Sequence, residues 1–226
     1  MDFAEIDAMF ETPRVEEGYD MLKKRLATGD DSCEVLWRLS RFCHERSCLA
    51  PKKARSEFIT EGKDFGLLAV SKDSMNLDAT KWAAILMGQA TDLLGTKERI
   101  AEGGKFKDML EAALALSPKD KSLLHLRGRF NFTIANLSWI ERKAASVLYA
   151  ELPKASMEDA LKDFLAAFDV EPAWIENLVY IAKCMMALKR KSEAKKYADL
   201  AVELTPENMA ERELYEEAAQ MALKLV

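Results

Sequence analysis

The sequence predicts an all-α protein, a solenoid of antiparallel helix pairs with about nine to eleven helices. Three observations support this fold class. Alanine, aliphatic and charged residues dominate the 226 residues, with only nine glycines and six prolines, which is a helix-forming composition. Apolar residues recur every three or four positions along most of the chain. Small residues also recur at fixed distances from the residues expected to close each helix pair.

The last third of the chain carries the clearest repeat. Two sets of four residues share one spacing and lie 34 residues apart, which is the length of a tetratricopeptide repeat. Each set places small or aromatic side chains on one helix face and ends at a proline. The two sets are Ala160, Phe164, Ala167 and Pro172, and Ala194, Ala198, Ala201 and Pro206.

Small residues also stand at constant distances from the end of each helix pair along the rest of the chain. Helix pairs are predicted to close at Asp30, Ser74, Pro118, Pro172 and Pro206. Small residues recur at two offsets from these positions, where they let a neighbouring helix approach the backbone. The first offset is five residues before each closing residue, and four of its five residues are alanine: Arg25, Ala69, Ala113, Ala167 and Ala201. The second offset is ten residues after each of the first four closing residues, and all of its residues are small: Ser40, Ala84, Gly128 and Ala182. We therefore predict one tetratricopeptide-like domain over residues 1–226.

The two ends of the chain are predicted to be amphipathic helices. The first begins near Thr12-Pro13, because proline suits the first turn of a helix. Its apolar face consists of Val15, Tyr19, Leu22 and Leu26. The last helix, over residues 207–226, is expected to cap the solenoid with a polar outer face. Its inward face consists of Ala210, Leu214, Ala218 and Met221.

Three insertions separate the helix pairs. The first lies around residues 44–54, where Pro51 breaks the helix. The second lies around residues 96–104, where Gly103-Gly104 predicts a turn. The third, from residue 134 to 149, lengthens a helix or adds one that Pro153 ends, and Ser156 with Asp159 suits the start of the next helix. Its helically spaced apolar residues are Leu137, Ile140, Ala144, Val147 and Leu148.

Composition excludes several classes of protein. The net charge of −5 gives no general attraction to nucleic acid or anionic lipid. No apolar run approaches the ~20 residues of a membrane span, and no signal peptide is expected. The four cysteines form no C-x-x-C pair and only two histidines are present, so we expect reduced thiols and neither a metal nor a cofactor. The cysteines are Cys33, Cys43, Cys48 and Cys184.

Five segments carry a resemblance to a known family. They are LWRLSR at 36–41, KWAAI at 81–85, HLRGR at 125–129, LSWIER at 137–142 and LPKAS at 152–156. With these segments, the chain resembles the regulator of microtubule dynamics family over nearly its whole length. The fourth segment is the most specific, because it falls within the unusual third insertion.

The resemblance implies a cytoplasmic helical-repeat protein that associates with microtubules and spindle poles and supports chromosome segregation. Some relatives carry an N-terminal membrane span and act at mitochondria and membrane contact sites. This chain begins at the repeat domain, so we expect no transmembrane segment here. Nucleic acid is not an expected partner.

One face of the first helix in each pair is the candidate partner-binding groove. Twelve positions share this face by helical spacing, and none of them is acidic although acids outnumber bases in the chain. Such a groove suits an acidic extended peptide, for example a Glu-rich tubulin tail, and the alternative is solvated or internally paired charges. The candidate residues are Trp37, Arg41, His44, Lys81, His125, Arg129, Phe132, Lys183 and Met186.

Two further segments are weaker candidates. A basic patch at the last helix pair is expected to be a solvated surface, with contact to the microtubule lattice as the alternative. In the segment 123–142, an intramolecular Glu–Arg pairing near Trp139 is expected to fix the extra helix, with a partner-binding surface as the alternative; the residues concerned are Arg127, Arg129, Glu141 and Arg142. The residues of the basic patch are Lys189, Arg190, Lys191, Lys195 and Lys196.

Catalytic motifs are missing from the sequence. It contains no G-x-S-x-G, H-E-x-x-H, P-loop or dinucleotide fingerprint. Cys43 and His44 are adjacent on a helix and point to different faces, so a nucleophilic pair is not expected. We predict a non-enzymatic binding module. The alternatives are a lipid-binding or contact-site module, in which the eleven methionines line a cavity, and a general adaptor.

Overall fold

The computed structural model describes residues 3–10, 13–148 and 154–225. Within these ranges the chain forms twelve α-helices, one short 3-10 helix at Lys52–Ala54 and no strand. The all-α prediction is confirmed, and the count exceeds eleven because a short N-terminal helix was not predicted. The helices are α1 (Phe3–Asp7), α2 (Val15–Ala27), α3 (Cys33–Leu49), α4 (Arg55–Lys72), α5 (Leu77–Asp92), α6 (Thr96–Leu116), α7 (Lys121–Ala135), α8 (Trp139–Leu148), α9 (Met157–Val170), α10 (Ile175–Ala187), α11 (Lys191–Val202) and α12 (Met209–Lys224).

The predicted closing residues all lie between helices. Asp30, Ser74, Pro118, Pro172 and Pro206 occupy the connections after α2, α4, α6, α9 and α11. Pro and Asp cannot continue a helix as well as the residues before them, so each pair ends there. No helix in the described ranges is long and apolar enough to cross a membrane.

The first two insertions have different outcomes. Pro51 does break the chain after α3, and the 3-10 helix follows it. The turn predicted at Gly103-Gly104 is wrong, because both glycines lie inside the 21-residue helix α6. Each glycine costs a helix only about 1 kcal/mol, and burial of Phe106 and Leu110 on this helix outweighs that cost.

The third insertion adds a helix, α8. Ser156 and Asp159 then form a capping box at the start of α9, as their spacing predicted. Tyr149 and Pro153, which were predicted to end the inserted segment, lie outside the described residues.

The chain divides into two compact units, each with its own contacts. Unit 1 comprises residues 1–95 and 108–116, and unit 2 comprises residues 96–107 and 117–226. The single domain over residues 1–226 stays a prediction.

Unit 1 is a stack of helices held together by close backbone approaches. α3 packs against α2, α4 and α5. A Cβ placed on Gly66 of α4 would lie 2.8 Å from the Cα of Ala83 on α5, so only glycine fits there. The hydroxyl of Ser40 donates to the carbonyl of Gly62, 2.8 Å away. Ile6 and Met9, from the N-terminal segment, are fully buried in the same core.

Unit 2 contains the repeat that the sequence showed most clearly. α7 packs against α9, and α10 packs against α9, α11 and α12. A Cβ on Gly128 of α7 would lie 2.7 Å from the Phe164 ring on α9. The repeated small and aromatic residues are all fully buried, namely Ala160, Phe164, Ala167, Ala194, Ala198 and Ala201.

The small residues predicted at helix contacts are buried in both units. None of the four at the second offset lies on the surface, which is the arrangement that stacked helix hairpins require. At the first offset the exception, Arg25, forms an ion pair with the closing residue Asp30 at 2.8 Å. The four buried residues are Ser40, Ala84, Gly128 and Ala182.

Candidate partner-binding faces

In unit 1 the predicted groove residues lie beneath the N-terminal segment. Trp37 is only 6% exposed, and its ring stacks on Phe10 with centroids 6.4 Å apart. The Arg41 guanidinium lies 3.9 Å from the centroid of Phe10, and its Nε is 3.6 Å from Glu45 Oε1. Trp37 is therefore a core residue in this conformation, and Arg41 is both stacked and ion-paired.

The other two predicted residues of unit 1 have different surroundings. Lys81 is partly exposed on α5. His44 is held within the chain, since its Nδ1 lies 3.2 Å from Gln89 Oε1 and its Nε2 lies 3.7 Å from Cys48 Sγ. Its ring also contacts Trp82, with centroids 5.4 Å apart.

Sequence reasoning missed the residues that hold the N-terminal segment. Arg38, buried on α3, donates to both carboxylate oxygens of Asp7 at 2.6 and 2.8 Å. Its guanidinium also lies 4.0 Å from the centroid of Phe3. The apolar spacing of Ile6 and Met9 with Phe10 could have indicated a buried helix before residue 12, but five-residue helices carry little periodic signal.

In unit 2 the predicted cations are ion-paired but remain partly exposed. Arg129 Nη1 lies 2.9 Å from Glu176 Oε1, and Lys183 Nζ lies 2.9 Å from Glu217 Oε2. Lys183 Nζ is also 4.8 Å from the centroid of Tyr180.

Two apolar residues lie on the same predicted face of unit 2. Met186 is 41% exposed, and Phe132 is partly buried against Tyr180. This face therefore combines cations with accessible apolar surface, although each cation already has a carboxylate partner.

His125 is a core residue. Its Nδ1 lies 2.9 Å from Asn177 Oδ1, and Asn177 Nδ2 donates to the Phe164 carbonyl, so the amide oxygen accepts from the histidine. Trp174 covers the ring at a centroid distance of 4.3 Å. With 4% of its surface exposed, His125 orders the helix contacts rather than offering a ligand contact in this conformation.

The basic patch is partly neutralised by its own helix. Arg190 forms a bidentate pair with Glu193, and Lys195 contacts both carboxylate oxygens of Asp199 at 2.9 Å. Lys189 adopts a left-handed conformation, with φ of 62°, at the turn before α11. The exposed cations of this turn are Lys189, Arg190, Lys191 and Lys196.

The third insertion is fixed through backbone groups. The backbone N–H of Ser138 donates to Glu141 Oε2 at 2.7 Å, and the Ser138 hydroxyl accepts from the Glu141 N–H, which is a capping box at the start of α8. The Arg142 guanidinium donates to carbonyls near the end of α7. Together they explain how α8 is anchored while Trp139 and Val147 remain 73% and 83% exposed.

The cysteines are free thiols, and no cluster suited to a metal ion occurs among the described residues. Burial raises the pKa of Cys43 and raises that of Cys184 to about 12. Burial and the nearby Glu34 and Asp73 carboxylates also raise the pKa of Cys33.

A family model described as Regulator of microtubule dynamics protein 1-3 matches residues 2–226. The chain belongs to this family. It is 48% identical over 202 residues to Regulator of microtubule dynamics protein 1 of Caenorhabditis elegans, covering 89% of each chain. It is 35% identical to protein 3 of Xenopus laevis and 30% identical to protein 2 of Mus musculus, covering 89% and 92% of this chain but 44% and 52% of those relatives.

Solved structures of repeat proteins share the fold of this family member. A thermophilic TPR protein from Thermus thermophilus aligns with a TM-score of 0.66 at 13% identity, covering 96% of this chain and 97% of that one. MamA aligns with a TM-score of 0.51 at 15% identity, covering 97% and 98%. At these identities the likeness concerns the fold alone, and it confirms the tetratricopeptide-like prediction.

Proposed function

We propose that this family member is a non-enzymatic, microtubule-associated binding protein of the cytoplasm and spindle that supports microtubule dynamics and chromosome segregation. The microtubule role is supported by the names of its relatives, and the binding role by a repeat fold that presents helix faces to partners. The partner we propose is a Glu-rich tubulin tail, which binds the cationic face predicted from the sequence.

The observation that carries this proposal is the pairing of the cations in unit 2. Lys183 and Arg129 each contact one glutamate of their own chain, and these glutamates occupy the position that a ligand carboxylate would take. Glu217 is 44% exposed, so water can solvate it when a ligand carboxylate replaces it at Lys183; the Arg129–Glu176 pair is more buried, with 22% and 26% of the side chains exposed. Exposed Met186 would supply an adjacent apolar contact.

Unit 1 contributes less to the proposed face. Trp37, the predicted apolar residue of this part of the face, is buried beneath Phe10, whereas Met186 of unit 2 is 41% exposed; Arg41 and Lys183 do not differ in exposure, at 24% of each side chain. We therefore place the main tail contact on unit 2.

Co-sedimentation with microtubules tests the proposal. Lys183→Gln and Arg129→Gln should each weaken binding about two- to fivefold, whereas Glu217→Gln should strengthen it by a similar factor because it releases Lys183. If the ion pair were purely structural, Lys183→Gln and Glu217→Gln should change microtubule binding in the same direction. Binding should also fall as salt rises and after proteolytic removal of the tubulin tails.

The basic patch supplies the matched control. Lys189→Gln, Lys191→Gln and Lys196→Gln together remove three exposed cations from the same unit without touching the proposed face. This variant should bind nearly as the wild type does. If it loses binding while Lys183→Gln keeps it, or if tail-cleaved microtubules bind equally well, the tail-binding face is wrong.

A further inference from the structure

Cys48 and His44 lie one helical turn apart on α3 and face each other. Cys48 Sγ is 3.7 Å from His44 Nε2, within hydrogen-bond range for sulfur. The other ring nitrogen, Nδ1, is 3.2 Å from Oε1 of Gln89 on α5. The three side chains thus form a line of thiol, imidazole and amide within unit 1.

The Gln89 amide determines which ring nitrogen of His44 carries the proton. A side-chain amide oxygen only accepts hydrogen bonds, so the contact with Gln89 requires the proton on His44 Nδ1. The lone pair of Nε2 then faces Cys48, where it can accept the thiol proton. When it does, the Nδ1–H still donates to Gln89, which orients the imidazolium and stabilises it.

The surroundings stabilise the imidazolium that forms when His44 accepts the thiol proton. Burial lowers the pKa of His44, but the charge and hydrogen bond of the Cys48 thiolate, the charge of Glu45 and the hydrogen bond with Gln89 outweigh burial and raise it. The remaining charged neighbour is Arg41, which pairs with Glu45 at 3.6 Å and stacks on Trp82. Trp82 itself packs against the imidazole face.

The other three cysteines have the opposite environment. Cys43 and Cys184 are buried, and burial raises the pKa of both thiols. Cys33 is partly exposed like Cys48, but burial and neighbouring carboxylates raise its pKa. Cys33 is therefore a matched internal control, with similar exposure and no imidazole among its described contacts.

We propose that Cys48 is a reactive thiol and a site of covalent modification by soft electrophiles, with His44 as its proton acceptor and Gln89 as a positioning residue. In the reaction the thiol proton moves to His44 Nε2, the sulfur attacks the electrophilic carbon, a C–S bond forms and the leaving group departs with its bonding electrons. The thiolate is the nucleophilic form of cysteine, so the fraction of the pair in the thiolate–imidazolium form sets the rate.

The test is competitive alkylation of the full chain with limiting iodoacetamide, in which iodide is the leaving group. Cleavage after lysine and arginine places each cysteine on its own peptide, so mass spectrometry reports four rates from one sample. The peptides cover residues 26–38, 42–46, 47–52 and 184–189. At pH 7 Cys48 should react about ten times faster than Cys33.

Variants separate proton transfer from structural support. His44→Gln keeps a polar contact to Gln89 but removes the base, so the Cys48 to Cys33 rate ratio should fall about tenfold. His44→Phe preserves the ring against Trp82 and should give the same loss if the glutamine variant unfolds. Circular dichroism establishes that each variant is folded.

Two substitutions at Gln89 should act in opposite directions. Gln89→Glu places a negative charge beside the imidazolium and should raise the Cys48 rate at pH 6, whereas Gln89→Met removes the acceptor and should lower it. A role in packing alone would move neither pH profile. Equal rates for Cys48 and Cys33 in the wild type, or a ratio unchanged by both His44 variants, would overturn the proposal.

Discussion

Two close helix contacts, one in each unit, are filled by different groups. In unit 1, α4 and α5 approach until a Cβ on Gly66 would lie 2.8 Å from the Ala83 backbone. In unit 2, the helices are separated by rings, and Phe164, Trp174 and Tyr180 surround the buried imidazole of His125. Gly128 lies at a predicted offset and Gly66 does not, and the nearest neighbour is a ring at the first glycine and backbone at the second.

This difference teaches what the repeat spacing controls. The spacing decides where two helices approach, and the groups between them decide how much the contact can yield. Backbone cannot move without shifting a whole helix, whereas a ring can tilt within its cluster. The contact at Gly66 should therefore be less tolerant of added volume than the contact at Gly128.

The largest expected effect is the contrast between Gly66→Ala and Gly128→Ala. The added methyl meets backbone at Gly66 and the Phe164 ring at Gly128. We expect a loss of about 3 kcal/mol in the free energy of unfolding for Gly66→Ala and about 1 kcal/mol for Gly128→Ala. Urea unfolding followed by circular dichroism measures both, and equal losses would remove the distinction between the units.

The second comparison concerns the polar group at each helix contact. Asn177 is fully buried and bonds both His125 and the Phe164 carbonyl, whereas Ser40 bonds only the Gly62 carbonyl. Asn177→Ala leaves the buried Nδ1–H of His125 without its acceptor and also removes the side-chain hydrogen bond to the Phe164 carbonyl, so it should cost about 2 kcal/mol of unfolding free energy, against about 1 kcal/mol for Ser40→Ala. The same urea titration decides it, and a costlier Ser40→Ala would contradict this order.

The smallest effect concerns acid stability. The pKa of Glu61 in unit 1 is lowered overall. Burial alone would raise it, but hydrogen bonds from Tyr19 and Lys23 and the charge of Arg46 outweigh the effect of burial. Because the folded pKa lies below the unfolded one, this stabilisation is present above about pH 4.3 and is lost as pH falls through the folded value.

Glutamine variants isolate that contribution. The wild type should unfold at a higher urea concentration than Glu61→Gln at pH 6, and this difference in midpoint should be smaller at pH 3. In unit 2, the pairing with Arg190 also lowers the pKa of Glu193, but this pair is exposed, so Glu193→Gln should change the midpoint little at either pH. A larger pH effect at Glu193 would reverse the comparison.

The units also differ in the predicted partner face. Phe10 covers Trp37 in unit 1, whereas Met186 of unit 2 is 41% exposed; the cations Arg41 and Lys183 are equally accessible, with 24% of each side chain exposed. The presence of basic and apolar side chains on one helix face was predictable, because it follows from their spacing in the sequence alone. Their covering was not, because Phe10 is distant in the sequence and belongs to a segment too short to give a periodic signal.

Local rules explain where prediction succeeded and failed along the chain. Pro51 and the Ser156–Asp159 capping box act within one helical turn, so their effects were predictable. Gly103-Gly104 was misjudged because the preference of a glycine pair for turns is weaker than the burial of the rest of α6. The ion partners of Arg129 and Lys183 lie 47 and 34 residues away and could not be read from spacing.

The sequence by itself determined that this protein is a stack of helix pairs, since composition, proline positions and small residues are properties of short segments. Only the tertiary structure decided which distant carboxylates pair with the cations, which aromatic residues are covered and which group contacts Nδ1 of His44. Those outcomes depend on contacts between distant helices, whose rotation about their axes is set by packing of the whole unit. His44 illustrates both levels, because its i+4 spacing to Cys48 is local while its contact with Gln89 required the fold.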